Sequence, residues 1–346
     1  MTKLERNINL DFYNKIAELL KNARSKVVQT VNKTMVYTYF EIGRIIVEEE
    51  QKGKERAEYG KQIIKELSQK LTREFGKGFS TTNLKQMRQF YLTYSKSQTL
   101  SDQFEKFDFQ LSWSHYLFLM KVDNPDERKF YEIEAISNGW SLRELQRQFD
   151  TALFERLVLS RDKKGIKELS KKGQIITKPN DTVKDPYVLE FLGLPEETKY
   201  SETELEQKII DKLEHFLLEL GKGFTFVGRQ VRFTFDDKHF RTDLVFYNRI
   251  LQCFVLIDLK IGEITHQDLG QMQMYVNYYD RKVKLENENK TIGIILCKKK
   301  NETLVEITLP ENNEQIFASK YQTVLPSKKE LRELIENKED EKPTNH

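Results

Sequence analysis

Within LQCFVLIDLK, Asp258 and Lys260 lie two residues apart at the end of an apolar run. A strand sends alternate side chains to opposite faces. Phe254, Leu256, Asp258 and Lys260 therefore share one side, and Val255, Ile257 and Leu259 share the other. In the preceding segment, RTDLVFYNRI, the same rule groups Asp243, Val245 and Tyr247. If the two segments pair as an antiparallel hairpin, Asp243 and Asp258 meet at one end of the sheet. Two carboxylates at that distance repel unless a cation lies between them. Mg2+ or Mn2+ suits such oxygen ligands and keeps positions open for water and a phosphate oxygen. Beside such an ion, Lys260 would hold a phosphate oxygen or position the attacking water. Two aspartates, a lysine and a divalent cation are the parts for hydrolysing a phosphodiester.

The acid-x-Lys pattern alone is weak, because Asp236-Asp237-Lys238, Asp162-Lys163-Lys164 and Glu206-Gln207-Lys208 also fit it. These fall in a turn, a polar connector and a helix. Asp258-Leu259-Lys260 alone follows a continuous apolar strand and has an aspartate opening the strand before it. The plain alternative is a surface salt bridge at a sheet edge. In the following helix Gln271 and Tyr275 are four apart and share a face. Gln271 is expected to reach Lys260 or a phosphate, since a buried-facing amide needs partners. Met274, Tyr275 and Tyr278 are better read as core.

These residues need a framework, and the sequence divides into two regions that supply it. Residues 11–160 read as almost wholly helical, with a break expected near Asn32 and an end near Gly53. GKQIIKELSQKLTREFG closes at Gly76, and Ser80 caps the next helix, on which Leu84, Met87 and Tyr91 share a face. This is a helix-turn-helix pattern, and Lys77, Lys85 and Arg88 are its candidate phosphate contacts. A second corner turns at Gly139, where Ser141 and Glu144 form a capping box and Arg143, Arg147 and Gln148 are the candidates. Such corners also occur in helical domains that meet no nucleic acid, with a solvated basic face.

The stretch 161–200 is polar, contains Pro179, Pro186 and Pro195, and reads as a connector anchored by Tyr187, Leu189 and Phe191. Beyond it come an amphipathic helix ending at Gly221, three strands, a helix and a buried strand, in the order αβββαβ. The expected domains are therefore 1–180, helical and DNA-binding with the connector; 181–336, α/β; and a disordered tail at 337–346.

With 38% hydrophobic and 32% charged residues, the composition is that of a globular chain. No apolar run approaches the roughly 20 residues needed to span a bilayer, and the first residues lack a secretory pattern, so a cytoplasmic protein with no membrane partner is expected. The net charge of +3 neither requires nor excludes nucleic acid. Cys253 and Cys297 lie in strand-like runs and read as core residues.

The block from Glu206 to Cys297 resembles the PD-(D/E)XK nuclease superfamily. It carries the acid Asp243, the triplet Asp258-Leu259-Lys260, and Q-x-x-x-Y as Gln271 to Tyr275. Thr242 stands where the motif usually has proline. TYFEIGRIIVEEEQ, GKGFSTTNLKQMRQFY and LLELGKGFTFVGRQ extend the resemblance to YhcG-type proteins over nearly the whole chain. This resemblance implies a restriction-endonuclease-like α/β core behind a helical N-terminal domain. It further implies a Mg2+- or Mn2+-dependent bacterial DNase acting on duplex or branched DNA in restriction, defence or repair, alongside protein partners of such a system. Asp243 and Asp258 would hold the metal, and an acid of the first core helix would complete its shell. Glu206 is the candidate, with Glu202, Glu204, Glu214 and Glu219 as competitors. Gln230 is a weaker contact. Duplex symmetry favours a homodimer. A catalytically silent binding or docking module and an RNA nuclease are the alternatives.

Overall fold

A computed structural model describes residues 10–52, 57–95, 108–159, 163–197, 199–235 and 237–333. The expected end near Gly53 and the expected tail from 337 lie outside them. The chain divides into two compact units between Leu145 and Gln146.

The first unit is helical: α1 (Leu10–Lys52), α2 (Ala57–Phe75), α3 (Thr81–Ser95), α4 (Trp113–Leu119), α5 (Pro125–Asn138) and the start of α6 (Leu142–Asp150). The expected break near Asn32 does not occur, and α1 runs unbroken for 43 residues. Neither glycine nor proline interrupts it around Asn32. Its one glycine, Gly43, serves close packing, since a Cβ there would fall 2.1 Å from the Met87 carbonyl oxygen on α3. Around that crossing an aromatic core gathers Phe40, Phe90, Phe109 and Trp113, with ring centroids 5.0–5.7 Å apart.

Both expected corners form. Gly76 takes φ +83° after α2, and Ser80 Oγ accepts from Asn83 N at 3.2 Å to start α3. Gly139 takes φ +61° after α5, and Ser141 Oγ accepts from Glu144 N at 3.2 Å.

The second unit is built on a six-stranded sheet. Its elements are α7 (Leu153–Leu159), α8 (Lys163–Lys172), β1 (Tyr187–Val188), α9 (Glu202–Asp211), α10 (Leu213–Leu220), β2 (Phe224–Phe235), β3 (Lys238–Asn248), β4 (Cys253–Glu263), α11 (His266–Lys282), β5 (Ile292–Lys299), α12 (Glu302–Thr308) and β6 (Ile316–Gln322). The strand order is β1-β6-β5-β4-β3-β2. β2, β3 and β4 are antiparallel neighbours, and β4, β5, β6 and β1 run parallel.

The expected αβββαβ order is present with three differences. The amphipathic helix is two helices, because Lys212 leaves helical geometry at φ −119°, ψ 32°. An additional α12–β6 unit extends the sheet. Tyr187 and Val188 join it as β1, so this part of the connector is a strand beside β6, and Tyr187 and Leu189 are fully buried.

The alternation read from the sequence holds in β4. Val255, Ile257 and Leu259 pack with Leu205, Ile209 and Phe216 on the α9–α10 side. Leu256 packs with Leu269, Met272 and Tyr275 on the α11 side. The sheet is thus a middle layer between two helical layers. Cys253 and Cys297 are buried and unpaired, as expected of small core residues.

Candidate active site

The site begins where the β3–β4 ladder ends. The last paired residues are Leu244 and Ile257, so Asp243 and Asp258 are the next positions outward in the same register. Past that point β3 no longer supplies an acceptor for the backbone of β4. The Asp243 side chain does so instead: its Oδ2 accepts from Leu259 N at 2.8 Å. A carboxylate therefore fills a gap in the ladder, which fixes Asp243 and satisfies a partly buried N–H.

Asp258 is 3% exposed. Burial, reinforced by the Asp243 charge, pushes its carboxyl up to about 7. Lys260 opposes that shift, with Nζ 3.1 Å from Asp258 Oδ2. Burial alone would lower the Lys260 ammonium. The carboxylates of Asp258, Glu202 and Asp268 outweigh it and raise its pKa, so the lysine is held as a cation. Glu202 lies 3.9 Å from Nζ and Asp268 3.7 Å. β4 continues past Lys260 to Glu263, so the pair sits in the strand and not at its very end.

Glu206, on α9, is also buried, and burial raises its pKa, with a further push from Asp243. One side chain joins it to the aspartates. Gln230 Nε2 donates to Glu206 Oε2 at 2.6 Å and to Asp243 Oδ1 at 3.0 Å. Gln230 adopts φ +47° within β2, a conformation that a non-glycine residue in a strand rarely takes. Gln271 donates to the hydroxyl of Tyr275 rather than to Lys260. That hydroxyl feels Asp258, Asp243 and Lys260, although burial is the largest influence on it.

Among the competing acids, Glu204 caps α9 through Ser201, Glu214 is exposed, and Glu219 is fully buried against Arg156. Glu202 and Asp268 were not singled out as neighbours of Lys260. The signal for Asp268 is present in the sequence: Thr265-His266-Gln267-Asp268 is a capping box, and it opens α11 just after β4.

Among the described residues, no three carboxylate, histidine or cysteine side chains already form a metal-binding cluster. The Gln230 amide lies between Glu206 and Asp243, a place where a cation would compete with it. The donors nevertheless suit a hard divalent ion. They are carboxylate oxygens, two of them bear on each other's charge, and such an ion would relieve that repulsion.

Of the candidate phosphate contacts, Lys77, Lys85 and Arg143 are exposed. Arg88 donates to Glu50 at 2.5 Å. Arg147 grips Glu190 with two nitrogens, at 2.8 and 3.4 Å, and lies over the Phe191 ring. Gln148 is buried.

Comparison with known proteins adds family information to this geometry. Residues 180–336 match a family described as the YhcG PDDEXK nuclease domain, and residues 15–156 match the DUF1016 N-terminal domain. A protein of Escherichia coli (strain K12) named "Putative nuclease YhcG" is 40% identical over 341 residues, covering 91% of this chain and 90% of that protein. Two solved structures share less. A repair endonuclease from Pyrococcus abyssi is 16% identical over 38% of this chain and 50% of its own, with a TM-score of 0.25. A complex of EndoMS with dsDNA is 18% identical over 38% and 49%, with a TM-score of 0.26. Likeness at that level carries no inference about this chain. No described helix is long and apolar enough to cross a membrane.

Proposed function

The chain belongs to the YhcG nuclease family, and on that premise we propose that it is a divalent-metal-dependent nuclease that hydrolyses phosphodiester bonds of DNA. The observation that carries this reading is the meeting of Asp243 and Asp258 where the β3–β4 ladder ends, with Lys260 Nζ 3.1 Å from Asp258. Asp243 and Asp258 are the residues to hold Mg2+ or Mn2+, with Glu206 as the third acid. The ion, when bound, would lower the pKa of a coordinated water and offset charge on the phosphate.

The side chains divide the remaining work. Leu259 N and Gln230 fix the two oxygens of Asp243, so its carboxylate is oriented before any ligand arrives. Lys260 is a cation held by three carboxylates, and it supplies positive charge where the phosphoryl oxygens gather charge in the transition state. Tyr275 closes the α11 side of the site as a buried ring. Its bond from Gln271 fixes the ring's hydroxyl beside the acids, which gives the Q-x-x-x-Y pair a positioning role.

The helical unit is proposed to bind DNA through Lys77, Lys85 and Arg143, whose side chains stand in solvent. Arg88 and Arg147, engaged by Glu50 and Glu190, would have to exchange partners to take part. A homodimer, protein partners, and a place in restriction, defence or repair belong to the same proposal, as does a cytoplasmic location.

The test is a cleavage panel of linear, circular and branched DNA, single-stranded DNA, and RNA, run with Mg2+, Mn2+ or EDTA. The expected result is DNA cleavage with either metal and none in EDTA. Cleavage that persists in EDTA, or that is confined to RNA, would overturn the reading.

A further inference from the structure

Beyond Gln230 and Asp243, β2 and β3 continue outward as a two-stranded ribbon. Its register pairs Val231 with Thr242, Arg232 with Arg241, Phe233 with Phe240, and Thr234 with His239. One face is anchored. The rings of Phe233 and Phe240 stack with centroids 5.9 Å apart, and Phe233 stacks on Tyr278 of α11 at 4.4 Å and meets Tyr275 edge-on at 5.1 Å. The ribbon is therefore held against the helix that carries Gln271 and Tyr275.

The other face is open. Arg232 and Arg241 are exposed and directly opposite one another. Among the described residues, neither guanidinium has an ion-pair or hydrogen-bond partner. Thr234 and His239 bond to each other at 2.9 Å farther out, and Lys238 is exposed beside Asp237 at the turn.

Like charges directly opposite on a ribbon destabilise it. Each of these guanidiniums also carries a fork of donors shaped for a phosphate. Arg241 is two residues from Asp243, roughly 7 Å along an extended strand. A phosphate at the arginine pair would thus be one or two nucleotides from the phosphate being cut, given about 3.4 Å of rise per nucleotide in a duplex strand.

We propose that the β2–β3 ribbon is a substrate-binding element, in which Arg232 and Arg241 together clamp a backbone phosphate of duplex DNA beside the scissile one. This inference rests on the DNA-nuclease reading, and its test keeps the two separable. Binding of a labelled DNA duplex is measured across salt concentrations with the Lys260→Ala protein, so that cleavage does not intervene. Arg232→Ala/Arg241→Ala is compared with Arg232→Lys/Arg241→Lys, and thermal melts confirm that both fold. The alanine pair is expected to weaken binding about tenfold or more and to reduce the slope of log K against log salt by about 1.8, at 0.9 per lost phosphate contact. The lysine pair is expected to keep the slope. In the cleaving protein, the alanine pair should raise KM more than it lowers kcat.

An unchanged slope and KM in the alanine pair, with cleavage intact, would overturn the ribbon proposal and leave the nuclease reading standing. Loss of ribbon-dependent binding in a protein that cleaves nothing would sustain the ribbon and overturn the nuclease reading. Ribbon-dependent binding of RNA but not of duplex DNA would also overturn the proposal.

Discussion

Replacing Lys260 by alanine is expected to lower the cleavage rate by at least about 100-fold, the scale of a lost charged or proton-handling group in a reacting centre. Its ammonium stands 3.1 Å from Asp258 and within 4 Å of Glu202 and Asp268, and the side chain is only 19% exposed. The variant is expected to fold. Asp258 already has its carboxyl pushed up to about 7 by burial and by Asp243, so it can take a proton when its cation is gone. DNA binding should be largely spared, because the proposed backbone contacts lie elsewhere. Lys260→Arg should not restore the rate, since a planar guanidinium cannot replace a point charge in that space. Single-turnover cleavage and duplex binding, measured on the same preparations, check this. Wild-type cleavage by the alanine variant would remove Lys260 from the mechanism.

The second large effect concerns folding. Arg156→Met is expected to destabilise the protein by about 3–5 kcal/mol, the usual result of stranding one member of a buried ion pair. Arg156 and Glu219 are both fully buried, with Nη1 2.5 Å from Oε1. Arg156 also donates to the carbonyls of Thr151 and Pro186, at 2.9 and 3.0 Å. Glu219 in turn accepts from Val188 N at 2.9 Å, and its backbone carbonyl accepts from Lys184. Burial alone would raise the Glu219 carboxyl, but Arg156 and Lys184 hold it below its ordinary value.

A folded pKa below the unfolded one contributes stability that is present above the ordinary carboxylate range. That stability is lost as pH falls through the folded value. The wild-type protein should therefore lose this contribution in acid, while Arg156→Met should have lost it already at neutral pH. Arg156→Met combined with Glu219→Leu should recover much of the loss, because no buried charge is then left alone. Urea unfolding of the single and double variants is the check, and a single variant within about 1 kcal/mol of wild type would contradict it.

The chemistry at β4 was legible because it depends on local parity. Asp258 and Lys260 share a face whatever lies around them, and a short hairpin connection puts Asp243 opposite. The αβββαβ order followed from apolar runs of strand and helix length. What escaped the sequence depends on contacts far along the chain. Tyr187 pairs with Tyr321 as β1 and β6, and no local pattern announces a parallel partner at that distance. Arg88 and Arg147 read as free basic residues because their partners, Glu50 and Glu190, lie far away in sequence.

Gln230 read as a minor contact. Its importance arises from an unusual backbone angle, φ +47°, and from a side chain that spans two carboxylates on different elements. Neither is visible in a strand-like sequence. The continuity of α1 past Asn32 had the opposite cause: a long helix was read against an average length, although no residue there stops it.

The central claim is that Asp243 and Asp258 hold a divalent metal. The most direct measurement is anomalous diffraction from crystals of the full chain grown with Mn2+, together with an Asp258→Asn crystal treated in the same way. The account predicts an anomalous peak within coordination distance of the Asp243 and Asp258 carboxylates, lost or much weakened in the variant. A wild-type site with no peak at saturating Mn2+, or a peak that survives Asp258→Asn unchanged, would contradict it.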